Sequence, residues 1–324
     1  MRRIVIAFLL VLLPVLPARA AGLDDATGRT VQLPDRIARV LPAGPPAAVL
    51  LAALAPDLML GWPMKLGSAA LAALPPDLAA LPALPHLAAT ADGEAAVRAL
   101  HPDLIVDYGT VAPDYIARME KVQADTGVPS ILLDGRLEET PRVLRRLGAV
   151  LGRPARGAAL AALTEAILAL PVRAAPRRVV YARGPEGTLL AAPGTGATEI
   201  FARLGWTVLA PPGDGTFRPA TTEQIAALDP DLVIFADPAA RQAAATPDWQ
   251  AVRAVREGHA LIAPAAPFGW VEEPPSLNRL LGLAWLGGSD AATLAALFDT
   301  LVFGHTPTRA ELAALAASVQ PLPP

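Results

Sequence analysis

Cysteine is absent from the 324 residues, which removes disulfides, thiol catalysis, thiolate metal ligands and a lipid-bearing N-terminal cysteine. Lysine is nearly absent. Lys65 and Lys121 stand alone, so arginine carries almost all the positive charge. Basic residues number 27 against 30 acidic ones, for a net charge of −3, and no basic stripe runs along any segment. Nucleic acid is therefore not an expected partner. The chain also lacks Gly-x-Ser-x-Gly, His-Glu-x-x-His and a Walker loop, so the common hydrolase and nucleotide motifs are missing. Its four histidines, His86, His101, His259 and His305, share no metal-ligand spacing, and neither a free-metal site nor a resident cofactor is expected.

Long apolar runs are confined to the start. Arg2 and Arg3 precede an apolar stretch over residues 4–15, and Ala18-Arg19-Ala20 supplies the small residues that a signal peptidase accepts. The stretch is shorter than the roughly 20 residues a spanning helix needs. A signal peptide over 1–20, cleaved before Ala21, and export to the periplasm are expected. The remaining length exceeds one typical core of about 100 to 150 residues, so two domains are expected.

A repeated phrase organises those domains. Leu100-His101-Pro102-Asp103-Leu104-Ile105-Val106-Asp107 returns as Leu228-Asp229-Pro230-Asp231-Leu232-Val233-Ile234-Phe235-Ala236-Asp237. Each copy closes an apolar helical stretch, turns at Pro-Asp and enters a short β-branched run that reads as a buried parallel strand. Strands are expected over 39–41, 58–60, 104–107 and 130–133, then over 178–182, 232–236 and 260–262. Helical stretches between them give the alternation of parallel α/β layers. Val143, Leu144, Leu147, Val150 and Leu151 line one helical face. Gly152-Arg153-Pro154 ends that helix, and a second runs to Pro171. The expected fold is two Rossmann-like α/β lobes with mostly parallel sheets, 21–152 and 173–324. A single long helix over 153–172 joins them as a stiff connector.

The chain resembles the periplasmic binding proteins of the iron-siderophore, haem and cobalamin ABC importers. The resemblance opens at Asp25-Ala26-Thr27-Gly28-Arg29-Thr30-Val31-Gln32-Leu33-Pro34, similar to a short family hairpin, and passes through both Pro-Asp-Leu phrases. It continues at Arg256-Glu257-Gly258-His259-Ala260-Leu261 and in the stretch from Phe268-Gly269-Trp270 to Leu283. It implies a ligand cleft between the lobes, capture of a metal chelate without chemistry, and delivery to the transmembrane permease of an ABC importer. A monomer is expected. The alternatives are an oxyanion (molybdate or tungstate) binder of the same fold, or a periplasmic chelatase-like enzyme.

In open α/β sheets, loops after strand C-termini line the ligand crevice. That rule places Trp62, Asp107, Tyr108, Gly109, Arg183, Asp237, Phe268 and Trp270 near the cleft. Trp62 and Trp270 offer flat apolar faces to a porphyrin or catecholate, and Tyr108 a phenol to iron or to a chelate oxygen. Arg183, and Arg218 after Phe217, suit negative oxygens. Gly194-Thr195-Gly196 reads either as a backbone cradle for an anion or as an ordinary turn with a cap. Phe268 reads either way, as cleft or core. Glu272-Glu273-Pro274-Pro275-Ser276 reads as a turn into a helix capped by Ser276, with Asn278 and Arg279 in its first turn. The resemblance implies one permease-docking glutamate per lobe. Glu223 has the matching spacing before Pro230; Glu94 stands one residue off, with Asp92 a substitute.

Overall fold

Both copies of the Pro-Asp phrase adopt one local structure, held by side chains outside the phrase. The structure, a computed structural model, describes residues 22–84, 91–304 and 308–311 together with 313 and 322. The expected leader, His86 and His305 lie outside the described residues. In each copy a helix, Ala91–Leu100 or Thr222–Leu228, is followed by a residue with positive φ, His101 at 44° and Asp229 at 45°. An arginine then satisfies the last helical carbonyls. Arg39 donates to Leu100 O at 2.7 Å and His101 O at 3.1 Å. Arg178 donates to Leu228 O at 2.7 Å and Asp229 O at 2.9 Å. The phrase's aspartate returns the contact: Asp103 accepts from Arg39 N at 2.9 Å, and Asp231 from Arg178 N at 2.8 Å. Each copy thus ties a helix end to the start of the neighbouring strand.

The first lobe carries an antiparallel hairpin, β1 (Gly22–Asp24) with β2 (Thr30–Gln32). Beside it lies a parallel sheet of β3 (Val40–Pro42), β4 (Leu104–Gly109) and β5 (Ser130–Asp134), in that order. The second lobe carries β6 (Arg178–Arg183), β7 (Leu189–Ala191), β8 (Thr207–Val208), β9 (Phe217–Pro219), β10 (Leu232–Phe235) and β11 (Ala260–Ile262). The order is β11-β10-β6-β7-β9, with β8 also on β6. Strands β6, β8, β10 and β11 run parallel, and β7 runs antiparallel to both its neighbours. The expected strand over 58–60 is not one. Pro56–Leu58 is a 3₁₀ turn and Met59 alone bridges Val40, since Pro56 starts the chain turning where extension was expected.

A helical hairpin joins the sheets. The helices Thr140–Val150 and Pro154–Leu168 cross closely at Gly148 and Gly157, and a Cβ on Gly157 would stand 2.5 Å from Leu144 O. Arg156 of the second helix donates to Ala53 O at 2.9 Å and to Val302 O at 2.8 Å, fastening the connector to the helix Pro45–Leu54 and to the helical turn Asp299–Phe303. The largest apolar cluster is shared by both lobes. Trp62 packs against Phe268 at 5.6 Å between ring centroids, and Phe268 against Phe303 at 5.7 Å. Both the connector and this shared core oppose a wide hinge. Among the described residues no helix is long and apolar enough to cross a membrane.

Candidate functional site

The carboxyl ends of β4 and β5 meet at two glycines. Gly109 pairs with Asp134, and Gly135 N donates to Gly109 O at 2.8 Å. A Cβ on Gly135 would fall 2.6 Å from Gly109 Cα, so only glycine permits this approach. These strand ends form one wall of a cavity of about 440 Å³ between the lobes, a size within the roughly 300–1,000 Å³ of ligand pockets. Gly109, Thr110, Val111, Asp134 and Arg136 line it from the first lobe, and Thr195, Gly196, Glu199, Pro275 and Arg279 from the second.

Arg279 governs the geometry. It is 1% exposed. Its guanidinium donates to Glu199 Oε2 at 2.7 Å, to Gly135 O at 2.5 Å and to Ser276 O at 3.3 Å. Glu199 Oε1 in turn accepts from Leu137 N at 2.8 Å. A buried guanidinium of the second lobe, paired with the partly exposed Glu199 carboxylate, thereby holds loop 135–137 of the first. Ser276 Oγ adds a second bridge, donating to Pro46 O at 2.8 Å. Asp134 engages Arg136 at 2.7 Å; burial raises its carboxyl, but the Arg136 donors outweigh that and hold it below the ordinary range. Tyr108 lies beneath the cleft floor, buried, with its hydroxyl 2.8 Å from Thr140 Oγ1. Burial pushes its phenol up, which opposes the phenolate that iron ligation needs.

A second cluster lies where β6 ends. Arg183 stacks over the Phe217 ring at 4.5 Å and pairs with Glu273 at 2.6 Å and Glu272 at 3.1 Å. The Glu272 contact lacks hydrogen-bond alignment, so Oε1 stays buried without a donor. Burial is the main cause that lifts the Glu272 carboxyl to about 7, against the pull of Arg183.

Of the residues expected at the cleft, Gly109 and Thr195 line the cavity, and Arg183 meets Phe217 outside it. The others go elsewhere. Trp62 is 1% exposed and donates Nε1–H to Leu78 O at 2.9 Å, a core residue and not a cleft face. Trp270, equally buried, packs edge-on to Trp285. Arg218 donates to Pro211 O at 2.8 Å, and Asp237 caps its own turn through Ala239 N at 2.8 Å. Large apolar rings gain more from the shared core than from a wet cleft, which is why aromatic identity misled here. Thr195, in the cavity wall, caps the 3₁₀ turn Gly196–Thr198, its N–H donating to Thr198 Oγ1 at 3.2 Å. Ser276, by contrast, is no cap, since its helix begins at Arg279. Asp134, Arg136 and Glu199 were missed, although the strand-end rule applied to β5 points straight at Asp134-Gly135-Arg136. Glu223 is exposed in the first turn of its helix, whereas Glu94 is half-buried with Lys121 at 3.4 Å. Among the described residues no His, Cys, Asp or Glu group of three is placed to hold a metal ion.

The family model described as periplasmic binding protein matches residues 90–267, more than half the chain, from the helix before β4 through β11. The chain belongs to the periplasmic binding protein family. No curated protein matches it in sequence. Among solved structures, this binding protein is similar to an ABC transporter solute binding protein from Sulfurospirillum deleyianum, with 21% identity and a TM-score of 0.79 over 90% of this chain and 98% of that one. It is similar also to a molybdate-bound periplasmic binding protein from Haemophilus influenzae, at 15% identity and TM-score 0.68 over 89% and 99%. A periplasmic heme binding protein from Pseudomonas aeruginosa matches at 23% identity and TM-score 0.55 over 89% and 95%. At these identities the likeness establishes the fold.

Proposed function

We propose that this binding protein captures a metal chelate of the ferric siderophore, haem or cobalamin type in its interlobe cleft, in the periplasm, and delivers it to the permease of an ABC importer. The charge balance of the cleft carries the reading. Asp134 and Glu199 match Arg136 and Arg279, two charges of each sign, and every other lining residue is uncharged. A bare oxyanion gains little from a neutral wall whose guanidiniums are already paired. A chelate, whose own donors enclose the metal charge, needs only shape, backbone polarity and a few hydrogen bonds. The family consists of binding proteins, and the cleft residues are bound to one another as structural partners and not arranged as a nucleophile with a base.

Delivery is assigned to Glu223. Thr221 and backbone donors hold its carboxyl below the ordinary range, so it is ionised at neutral pH and free to meet a basic pocket. Glu223→Ala is expected to abolish chelate uptake in cells that depend on this protein while leaving ligand affinity in vitro unchanged. Unchanged uptake would sever the importer reading and leave the binding reading standing.

A further inference from the structure

Both guanidiniums of the cleft are already engaged by carboxylates, and one carboxylate decides how far the more exposed of them is open to a ligand. The Arg136 side chain is 58% exposed at the cavity wall, and the Asp134 side chain, at the end of β5, is 11% exposed. Asp134 accepts from Arg136 N at 3.0 Å, from Nε at 3.0 and 3.1 Å, and from Nη2 at 2.7 Å. Although burial raises it, the Arg136 donors hold the Asp134 carboxyl below the ordinary range, so the pair is ionised at neutral pH. Glu138 accepts from Nη1 at 2.9 Å, and Glu139 stands 3.7 Å from Nη2. Arg279 is buried, and its Nε, Nη1 and Nη2 donate to Ser276 O, Glu199 and Gly135 O.

An anion entering this cleft has to draw Arg136 away from Asp134. That exchange strands a carboxylate at 11% exposure without its donors, a cost of the same kind as breaking a buried pair. Glu138 and Glu139 face the same guanidinium and oppose an incoming negative charge. An uncharged ligand leaves the pair intact. The rest of the wall points the same way. Among the described residues that line the cavity, none brings an aromatic ring to stack on a porphyrin or catecholate, and none is a His, Tyr, Met or Cys able to complete an iron's coordination. The wall offers neutral groups instead: Val111, 39% exposed, Pro275, the hydroxyls of Thr110 and Thr195, and bare backbone at Gly194 and Gly196, with nothing within 4 Å of a Cβ built at either glycine.

Resting on the chelate-capture reading, we propose that Asp134 is the charge-selectivity residue of the cleft. By keeping Arg136 engaged it turns away anionic chelates and leaves the site to an electroneutral chelate whose own donors complete the metal's coordination. Asp134 acts through Arg136 and needs no contact with the ligand, so it is a positioning residue. Removing its charge leaves the cleft with one net positive charge and a freed planar fork suited to ligand oxygens. Removing the charge of Arg136 leaves one net negative charge. The two changes therefore move selectivity in opposite directions.

Calorimetric titration of the full mature protein at fixed ionic strength tests this, with two uncharged chelates, a ferric trihydroxamate and cyanocobalamin, and two anionic ones, a ferric tricatecholate and haemin. The tightest ligand of wild type is expected to be uncharged, by at least about tenfold over either anion. Asp134→Asn keeps the side-chain shape and is expected to tighten the anions about tenfold, while the uncharged ligand changes less than about threefold. Added salt should shrink that gain. Arg136→Gln should weaken the anions further. Circular dichroism checks that both variants fold, and a purely structural role for Asp134 would weaken all ligands together. Tighter wild-type binding of an anion, or a ratio of anionic to uncharged affinity that Asp134→Asn leaves unchanged, would overturn the assignment while the chelate reading stands. Failure of all four ligands would overturn the chelate reading and this assignment with it.

Discussion

Replacing Arg279 with methionine is expected to destabilise the protein by roughly 2–4 kcal/mol, because it removes the buried donors that satisfy two carbonyls and a partly exposed carboxylate. Arg279 supplies donors to Glu199, Gly135 O and Ser276 O from a position 1% exposed to solvent. Methionine keeps much of the volume and removes every one of those bonds. Glu199 keeps only Leu137 N, and the Gly135 carbonyl of the opposite lobe loses its donor. Thermal unfolding followed by circular dichroism should show a midpoint lowered by on the order of 5–15 °C. Arg279→Lys should recover little, since one ammonium cannot reach acceptors arranged around a planar fork. The double variant Arg279→Met with Glu199→Gln should be more stable than Arg279→Met alone, as the stranded charge is gone. A midpoint within about 2 °C of wild type would mean that the pair does not hold the lobes together.

Glu272 gives the second large effect, and its sign runs opposite to that of an ordinary salt-bridged carboxylate. Its carboxyl is raised from 4.5 to about 7, first by burial, at 4% exposure. Below pH 4.5 the group is protonated whether the chain is folded or not. Between 4.5 and 7 the folded protein holds the proton more tightly, so the stability this group contributes is lost as pH rises through that window. Above pH 7 its ionised form costs on the order of 3 kcal/mol, at 1.36 kcal/mol per pKa unit. Glu272→Gln should therefore match wild type near pH 4 and become more stable than it by about 3 kcal/mol at pH 8. Paired denaturant titrations at the two pH values check this. A difference between the two proteins that does not change with pH would contradict it.

The lobes were legible in the sequence because the Pro-Asp phrase is a local device repeated nearly whole. Residues 104 and 232 open strands where expected, and 260–262 is matched to the residue. What the phrase concealed was its partner. Arg39 and Arg178 stand about 60 and 50 positions away from the helix ends they satisfy, and one arginine among 25 carries no mark of that duty. The strands β7 and β9 have three residues each, too few to show a period, and pair only because Gly184, Gly187, Gly213 and Gly215 turn the chain back with positive φ.

The cleft was legible as a place and less so as a set of residues. Strand-end reasoning found Gly109, and the glycine-rich turn found Thr195. Choosing aromatic and arginine candidates by type then favoured residues that this fold buries. Trp62, Tyr108 and Trp270 each have a bonded or ring-packed place in the interior. Arg279 was read as a helix residue, which it is. Its function as a bridge depends on Gly135, 144 positions earlier, and no spacing along the chain records that contact.

The binding claim rests on the interlobe cavity, and Gly196 offers a way to close it. No heavy atom lies within 4 Å of a Cβ built there, and its backbone is not left-handed, so Gly196→Trp places an indole in the cleft without strain. The direct measurement is titration of wild type and Gly196→Trp with a ferric hydroxamate, haemin, cobalamin and molybdate, read by absorbance and tryptophan fluorescence. One of the three chelates should saturate wild type at one per chain with roughly micromolar or tighter affinity, and Gly196→Trp should lose it. Binding of molybdate alone, or equal chelate binding by Gly196→Trp, would contradict the account.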